Sequence, residues 1–426
     1  MADLPSRHPI CFSTFPAGSG KFVSCLAFLL LAAYLLVLPI SHTIAVRNLA
    51  FFLLCGITFW CAWRHRLRLH FPLMTPWLLY GAIAFFSLFH AVSPFWSLGE
   101  IKKEIGYGIL TLMLTASWVR NIESLEKLIL VVIVSNILTI TAILHKITAI
   151  DPFWQAPFWR VIDGLLLNTG DGKSLYNGVG NLSTYLITTL PFIVAYTFQR
   201  LHARHWSGSS LIFLLALNLL ALLLTGNRMG LITAIVEIIF ASTFIAMQQR
   251  GYRIFKTIFI AAVSIILISY LLNSVLSIRS TSSDIRWDIW SWSINDILLH
   301  PFHGMGFGRT VMTVANSDFP KEFRLEHAHN MILNKGIQMG IPGMLAFLML
   351  YCSSLFFLWP RRTLHASGSL WVYALAASTM SVGVFMKNMT DDFFVSHNAF
   401  LYWTLVGMVL GVLETNRKKA TEKNER

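Results

Sequence analysis

The sequence predicts an all-α integral membrane protein with about twelve transmembrane helices. Of its 426 residues, 55% are apolar and only 12% are charged, whereas an average soluble domain is roughly 25% charged. So few charges cannot cover a water-facing surface, which excludes a soluble enzyme, a disordered protein and a nucleic-acid-binding domain. Apolar runs of about 20 residues predict helices that satisfy their own backbone hydrogen bonds in lipid, whereas a β-barrel would show short alternating segments.

The candidate spans follow one another along most of the chain. In order they are 22–40, 44–63, 73–90, 104–119, 126–147, 180–198, 209–225, 228–247, 254–272, 338–358, 368–386 and 396–413. The first is long enough to cross a bilayer, and no small-residue cleavage site follows a short apolar core, so we expect a retained helix rather than a signal peptide. The predicted organisation is an N-terminal tail, nine spans, a loop, three spans and a basic tail, with bounds 1–21, 22–272, 273–337, 338–413 and 414–426.

The charge distribution predicts the orientation of these spans. The net charge of +13 would indicate phosphate binding in a soluble protein, but in a membrane protein it indicates basic cytoplasmic loops. With the N-terminus inside, the basic connections all fall on the cytoplasmic side: 64–68, 120–127, 200–204, 250–256, 361–362 and the C-terminal tail. The positive-inside rule therefore predicts that both termini are cytoplasmic.

The five cysteines predict neither a disulfide framework nor a metal site. Most of them lie in or beside apolar runs, their number is odd, and the sequence contains no CxxC motif or Cys/His cluster. We therefore expect small buried apolar side chains.

Two connections on the outer side are long. The first runs over about 148–179, and the second, 273–337, separates spans nine and ten. Loops longer than about 15 residues are usually functional or disordered. Within the second loop, residues 285–294 carry apolar and aromatic residues at helical spacing, which predicts an amphipathic helix at the membrane interface.

Two arginines on the outer side are candidate anion ligands. Arg228 lies in the Thr225–Gly230 turn at the start of a span, where a guanidinium and a helix N-terminus both suit phosphate oxygens. The alternative is an arginine that reaches the lipid headgroups. Arg286 lies beside tryptophans in the amphipathic segment, where it either binds an anionic headgroup or is a solvated charge.

The long loop contains two further motifs. Residues 300–308 place glycines at alternate positions, which allows close backbone approach, and Arg309 ends this run; the alternative is a bent surface loop. Residues 327–330 read His-Ala-His-Asn, and His329 is a candidate base near neutral pH. The His-x-His pattern also suits a metal, but no third ligand follows at metal spacing, so we predict no metal.

Three acidic residues have an open role. Asp391 and Asp392 lie between the last two spans, where they orient a histidine, pair with Arg228 or Arg286, or are solvated. Glu237 lies in mid-span, and a carboxyl group there is often functional.

Together these motifs resemble the O-antigen ligase and polymerase superfamily of bacterial inner-membrane glycosyltransferases. The resemblance rests on Thr-x-x-Arg at 225–228, His-Pro-x-x-Gly-x-Gly-x-Gly at 300–308, and His-x-His-Asn at 327–330 leading to Gly-Ile-Pro-Gly at 340–343. It covers most of the chain, including the large outer loop between spans nine and ten. The chain ends about a dozen residues after its last span, and this length fits the ligases better than the longer protein oligosaccharyltransferases.

The resemblance implies an inner-membrane enzyme with its active site on the periplasmic side. The implied donor is a glycan on undecaprenyl diphosphate and the acceptor is a sugar hydroxyl of lipid A–core, with no cofactor, metal, nucleotide sugar or nucleic acid. Implied catalytic residues are Arg228, Arg286 and His329, the arginines facing the diphosphate and His329 acting as base. The other substrate-binding candidates are His327, Asn330, Asp391 and Arg309. Attack from the face opposite the diphosphate predicts inversion at the anomeric carbon.

Two alternatives remain open. An O-antigen polymerase would use the same donor with a second lipid-linked glycan as acceptor, and the 148–179 loop is compatible with it. A polytopic transporter of an anionic or lipid-linked substrate would instead predict broken or charged helices at mid-membrane and an internal repeat. The sequence shows no repeat, and Glu237 is its one clear mid-span charge.

Overall fold

The structure is a computed structural model in which every regular element among the described residues is helical, which confirms the all-α class. The described residues are 12, 19–40, 43–64, 66–149, 179–202, 207–225, 227–248, 282–309, 311–312, 327–359 and 369–424. The predicted span 254–272 and most of the predicted loop 148–179 lie outside this set.

The described helices are long and follow the predicted spans closely. They are α1 (Ser19–Val37), α2 (Ile44–Trp63), α3 (Met74–Ser87), α4 (Pro94–Ile101), α5 (Tyr107–Trp118), α6 (Ile122–Ala149), α7 (Val179–His202), α8 (Ser207–Leu224), α9 (Arg228–Gln248), α10 (Ser282–Leu299), α11 (Met331–Leu358), α12 (Leu370–Asn388) and α13 (Ser396–Asn424). A 3₁₀ turn follows α3 at Leu88–His90, and a π-helical turn joins α4 to α5 at Lys102–Gly106.

Several of these helices have the length and apolarity of membrane spans. Among the described residues, five qualify: Ile44–Trp63, Ile122–Ala142, Met331–Leu358, Leu370–Asn388 and Ser396–Glu422. Three shorter apolar helices accompany them: Lys21–Val37, Met74–His90 and Ser210–Leu223. The chain is therefore organised as a polytopic membrane protein, and the total of twelve spans stays a prediction.

The structure differs from the sequence predictions at four places. The short helix α4 was not predicted, and the last helix continues to Asn424 rather than ending at 413. The extension is explained by good helix formers and by the Glu414–Lys418 ion pair (2.9 Å) one turn apart. A helix at 285–294 is confirmed and is longer, as α10, but its two faces differ little in hydrophobicity, so its predicted amphipathic character is not confirmed. The expectation of five unpaired cysteines is wrong for Cys25, which is disulfide-bonded.

The centre of the bundle is a close contact between α13 and α5. Gly407 and Gly411 face the backbone of α5, where an added Cβ would overlap the Thr115 hydroxyl and the Val119 carbonyl. Small residues let helix backbones approach in this way when lipid supplies no hydrophobic driving force between helices. This packing holds the start of α13, and the loop before it, in a fixed position.

Helices α9 and α12 pack against each other in opposite directions. Gly383 of α12 leaves space for the Glu237 side chain of α9. Further along α9, Phe240 packs on Trp359 (centroids 6.0 Å apart). The residue before Trp359 is Leu358, whose carbonyl accepts a hydrogen bond from the Ser378 hydroxyl of α12 (2.9 Å). The later residue of α9 therefore lies beside the earlier residue of α12, so the two helices are antiparallel.

This antiparallel packing places the beginning of α9 at the same end of the bundle as the end of α12. Arg228 begins α9, and Asn388 ends α12. We refer to this end of the bundle as the rim, defined by the start of α9, residues 327–330 and residues 387–393.

Candidate functional site

Helix α11 is broken at Gly340, which has a left-handed backbone (φ +68°) that favours glycine. Pro342 follows and lacks an amide hydrogen. The break leaves the carbonyl groups of Ile337 and Gln338 without their helical partners. It also separates a short rim segment of α11 from the long segment below it.

The glycine-rich loop 300–308 supplies the missing hydrogen bonds. Met305 donates its amide to the Ile337 carbonyl (2.8 Å), and Gly306 donates to the Gln338 carbonyl (3.1 Å). Gly304 has φ +62°, and a Cβ there would overlap the α11 backbone. The close approach predicted from the glycine spacing is therefore present, and it fixes the rim segment of α11.

The turn that carries His327 and His329 is held by hydrogen bonds at both the carbonyl and the amide of Ala328. The Trp290 indole of α10 donates to the Ala328 carbonyl (3.0 Å), and the Ala328 amide donates to the Asn334 side chain (2.7 Å). His329 has a left-handed backbone (φ +49°), a conformation that costs a non-glycine residue about 1–3 kcal/mol. These contacts offset the strain and keep the imidazole in place.

Two asparagines connect this turn to the loop between α12 and α13. The Asn330 side-chain oxygen caps α11 by accepting from the Ile332 and Leu333 amides, and its nitrogen donates to the Met389 carbonyl (3.0 Å). Asn334 donates to Asp392, which is buried. Asn330, predicted to bind substrate, thus has its amide engaged in holding the loop, and Asp392 anchors the same loop.

His329 and Asp391 form the central pair of the site. The His329 Nδ1 lies 3.0 Å from the Asp391 Oδ1, and the imidazole is 34% exposed whereas the carboxylate is 16% exposed. Burial alone would raise the pKa of Asp391, but contacts with His327 and His329 and the charge of Lys387 lower it below its usual range. Asp391 is therefore an anion that accepts from Nδ1–H, which leaves the His329 Nε2 as an acceptor.

His327 has a different environment from His329. Its Nε2 lies 2.8 Å from the Arg309 Nη2 and 3.5 Å from the Asp391 Oδ1. Because a guanidinium can only donate, the Arg309 contact requires neutral His327 to accept at Nε2 and to carry its hydrogen on Nδ1, a buried atom without a partner among the described residues. A hydrogen bond from Nε2 to Asp391 forms only when His327 is protonated and the Arg309 contact is given up. Arg309 also packs on the Phe393 ring (5.5 Å to the centroid). Arg309, predicted to bind substrate, thus orients His327 at the edge of the site.

The environment of His327 predicts a pH dependence of stability. Burial lowers the pKa of His327, the charges of Arg309 and His329 lower it further, and Asp391 and Asp392 oppose this. A histidine with a depressed folded pKa contributes stability above its unfolded pKa of about 6.5, and this is lost as pH falls through the folded value. Between pH ~7.5 and ~5, the unfolding temperature of the wild type should therefore decrease more than that of His327→Gln, measured by thermal unfolding in detergent. Equal slopes for the two proteins would contradict this.

A lysine that the sequence analysis did not single out lies next to this cluster. Lys387, in the last turn of α12, is completely buried, and its ammonium has no hydrogen-bond partner among the described residues. It lies 5.0 Å from the centroid of the Phe393 ring, and its charge interacts with Asp391 and with Arg286 of α10. The available sequence signal was a lysine four residues before an acid at the end of a span.

Arg228 approaches the same region through the beginning of α7. It is exposed at the first position of α9, and Gly230 packs on Ser183 of α7. One turn earlier on α7, Gly180 packs directly on the Phe393 ring. The start of α9 is therefore linked through α7 to the Phe393 ring, which both Lys387 and Arg309 contact.

The structure thus brings together residues that are far apart in sequence. His327, His329, Asn330, Asp391 and Arg309 form one cluster, Arg286 joins it through Lys387, and Arg228 lies at the same end of the bundle. Glu237 does not join them. It is buried against α12, and neither of its oxygens has a hydrogen-bond partner among the described residues.

One subset of the cluster has a donor set that suits a metal. The ligand atoms of His327, His329 and Asp391 lie within 4.8 Å of one another, so the structure supplies the third donor that the sequence spacing lacked. However, the Arg309 guanidinium occupies the His327 Nε2 lone pair and places a positive charge beside it. A divalent cation bound through Nε2 would have to displace Arg309 and tolerate its charge, so the residues present fit hydrogen-bonded histidines better than a metal centre.

Residues 211–348 match the family model described as O-antigen ligase. The resemblance drawn from the motifs at 225–228, 300–308 and 327–330 is therefore confirmed, because all three lie in the matched segment, as does Arg286. Asp391 and Lys387 lie outside it. No curated protein matches the chain. The matched segment is therefore similar to O-antigen ligases.

Proposed function

We propose that this O-antigen ligase family protein moves an O-antigen glycan from undecaprenyl diphosphate to a sugar hydroxyl of lipid A–core. The reaction takes place at the periplasmic face of the bacterial inner membrane, with both termini in the cytoplasm. The observation that carries the proposal is the His329–Asp391 pair, 3.0 Å apart, beside the cations Arg286 and Lys387. This is the combination of a base and positive charge that transfer from a diphosphate requires.

The cations act on the leaving group. A lipid diphosphate is already a good leaving group, so the protein mainly has to stabilise the negative charge that develops on it. The charge of Arg286 acts on Lys387, and a diphosphate near both side chains would reduce the repulsion between them. Arg228 supplies a third positive charge at the same rim, with guanidinium geometry that suits phosphate oxygens.

His329 acts on the acceptor. Its Nε2 takes the proton of the acceptor hydroxyl while that oxygen forms a bond to the anomeric carbon and the bond from this carbon to the diphosphate oxygen breaks. Asp391 stabilises the resulting imidazolium, and undecaprenyl diphosphate leaves with the bonding electrons. In this step the hydroxyl attacks from the face opposite the diphosphate, so the configuration at the anomeric carbon inverts. The protein cations fill the role of a metal, so the transfer is metal-independent.

The clustering of these groups favours a transferase over a transporter. A transporter is expected to have its charged groups and broken helices near mid-membrane. Here the cations, the histidines and Asp391 all gather at one end of the bundle. A polymerase would use the same rim chemistry and differs in its acceptor, so the experiment has to separate these two enzymes.

The proposal is tested by deleting the gene and resolving the lipopolysaccharide on a gel. A ligase deletion should leave core alone while lipid-linked long glycan accumulates. Core that carries a single repeat would indicate a polymerase, and an unchanged pattern would overturn both. Transfer between purified donor and acceptor with a chelator present would test metal independence directly.

Lys387→Met should weaken donor binding without unfolding the protein. Methionine fills a similar volume, and replacing a buried charge by an apolar group of that size is often neutral or stabilising. We expect the KM for the lipid-linked donor to rise about tenfold, because the buried ammonium no longer contributes positive charge near the diphosphate. Steady-state transfer assays at varied donor concentration measure this.

The control for this variant is Lys103→Met, which removes an exposed lysine paired with Glu100 on the surface (2.6 Å). It should leave the donor KM unchanged. If Lys387→Met were equally stable and kept the wild-type donor KM, the assignment of Lys387 to the diphosphate would be wrong.

A further inference from the structure

A cavity that contains one arginine lies apart from the cluster around His329. It is half open to solvent and lies between α1, α2, α5 and α13. Its walls are Tyr34, Arg47, Asn48, Phe51, Tyr107 and Phe400. Phe400 lies in the second turn of α13, just after the loop that carries Asp391, so the two sites flank that loop.

Arg47 is a cation without a counter-ion in this cavity. Its side chain is half-buried, and among the described residues no carboxylate pairs with it and no hydrogen bond engages its guanidinium. Its charge acts on the Tyr34 and Tyr107 hydroxyl groups and on His397. The His397 Nε2 is itself buried without a partner in the described part of the chain.

The polar groups around Arg47 have one property in common. A guanidinium, an imidazole, two phenols and an amide can all donate hydrogen bonds, whereas the cavity lining contains no carboxylate. Removing a guanidinium from water without a partner is unfavourable. This arrangement is complementary to an anion with several acceptor oxygens.

The aromatic walls make the cavity a preformed site rather than an arginine extended over the surface. Phe51 meets Tyr107 edge to face (centroids 5.6 Å apart), and Tyr107 meets Phe400 in the same way (5.9 Å). Tyr34 packs on Phe51 from the other side (5.7 Å). Rings locked in this way limit the occupant to a small group and give an adjoining acyl chain an apolar surface.

We propose that this cavity binds the phosphate group of a membrane lipid, with Arg47 as its charged ligand and His397 as a second donor. The lipid is either a phospholipid of the surrounding leaflet or the phosphorylated lipid that accepts the glycan. Binding of a lipid phosphate at Arg47 does not depend on the proposed transfer reaction.

Lipid binding is tested with the purified full chain by native mass spectrometry. The probe is phosphatidic acid, and diacylglycerol, which lacks the phosphate, is the lipid control. Arg47→Met should retain one fewer phosphatidic acid than the wild type, with about tenfold weaker binding at that site, and should bind diacylglycerol equally. The matched control is Arg64→Met at the opposite end of α2, where the guanidinium lies over the exposed Trp63 ring (5.6 Å).

A second variant shows whether a loss of phosphatidic acid binding comes from the site or from a folding defect. His397→Gln should weaken phosphatidic acid binding less than Arg47→Met, because it removes a donor but leaves the arginine in place. The proposal is overturned if Arg47→Met, with an unchanged unfolding temperature, retains phosphatidic acid as the wild type and Arg64→Met do. It is also overturned if all the variants lose phosphatidic acid equally.

The source of the phosphate is decided by transfer assays. If the site holds the acceptor, Arg47→Met should raise the acceptor KM about tenfold for phosphorylated acceptor and leave it unchanged for dephosphorylated acceptor. If the site holds a phospholipid, both acceptor KM values should stay at wild-type level while phosphatidic acid binding is lost. Absence of transfer by the wild type would contradict the proposed function and leave the binding result intact.

Discussion

His329→Gln should abolish glycan transfer in a protein that still folds and inserts. Glutamine keeps a polar side chain of similar reach but cannot take the acceptor proton. General-base catalysis contributes about 10²–10⁴-fold, so we expect transfer to fall by at least that factor in an assay with purified donor and acceptor. The variant should keep the wild-type unfolding temperature within a few degrees, because the imidazole is one-third exposed.

Two further variants help to interpret the result for His329→Gln. Asp391→Asn keeps a hydrogen-bond acceptor but removes the charge that stabilises the imidazolium, so transfer should fall without a matching change in either KM. His90→Gln is the control, since this exposed histidine stacks on His303 (4.1 Å between centroids) and is not part of the cluster. Wild-type transfer by folded His329→Gln would exclude His329 as the base.

Arg286→Gln and Arg228→Gln should each reduce transfer about 10²–10³-fold, the size of effect seen when a group that stabilises developing charge is removed. Each variant loses the positive charge of an arginine that faces the negatively charged diphosphate, so kcat and donor affinity should both fall. Arg286→Lys should recover part of the activity, because it restores the charge without the bidentate geometry. Transfer rates at saturating and limiting donor measure the two effects separately.

Competition by free undecaprenyl diphosphate provides an independent measurement for the arginines. Variants that have lost a diphosphate contact should be inhibited less by this product. Arg417→Gln, exposed near the far end of α13, should be inhibited like the wild type. If both Arg228→Gln and Arg286→Gln transferred glycan at the wild-type rate, the proposed diphosphate site would be wrong.

The helices could be predicted from the sequence because apolar length is a local property. Runs such as 44–63 and 228–247 coincide with α2 and α9 to within one residue. Local patterns also indicated the close backbone approach at the 300–308 loop. The short helix α4 was missed because eight residues beside a span carry no distinct periodic signal.

The contacts within the site could not be predicted, because they depend on which distant residues the bundle brings together. Asp391 lies 62 positions after His329, and nothing in the spacing of either motif specifies a 3.0 Å contact between them. Asn330 and Asn334 create this contact by binding the loop that carries Asp391. The burial of Lys387 likewise depends on Phe393, which folds back over it after the helix has ended.

The pairing of Arg309 with His327 shows why residue types alone were insufficient. From sequence, two histidines two positions apart suit a metal, and an arginine in the same loop suits an anion. In the folded protein Arg309 donates a hydrogen bond to the His327 Nε2 (2.8 Å), so the two residues bind each other rather than a metal and an anion.

The interruption at Gly340 separates two tasks that a continuous helix would combine. Below it, α11 is free to match the thickness and packing of the membrane. Above it, Met331–Met339 is joined to the 300–308 loop by hydrogen bonds and directly follows the histidine turn. Substitutions in lipid-facing residues below the break should therefore leave the histidine turn in place, and the 300–308 loop and Met331–Met339 are best exchanged together in chimaeras between relatives.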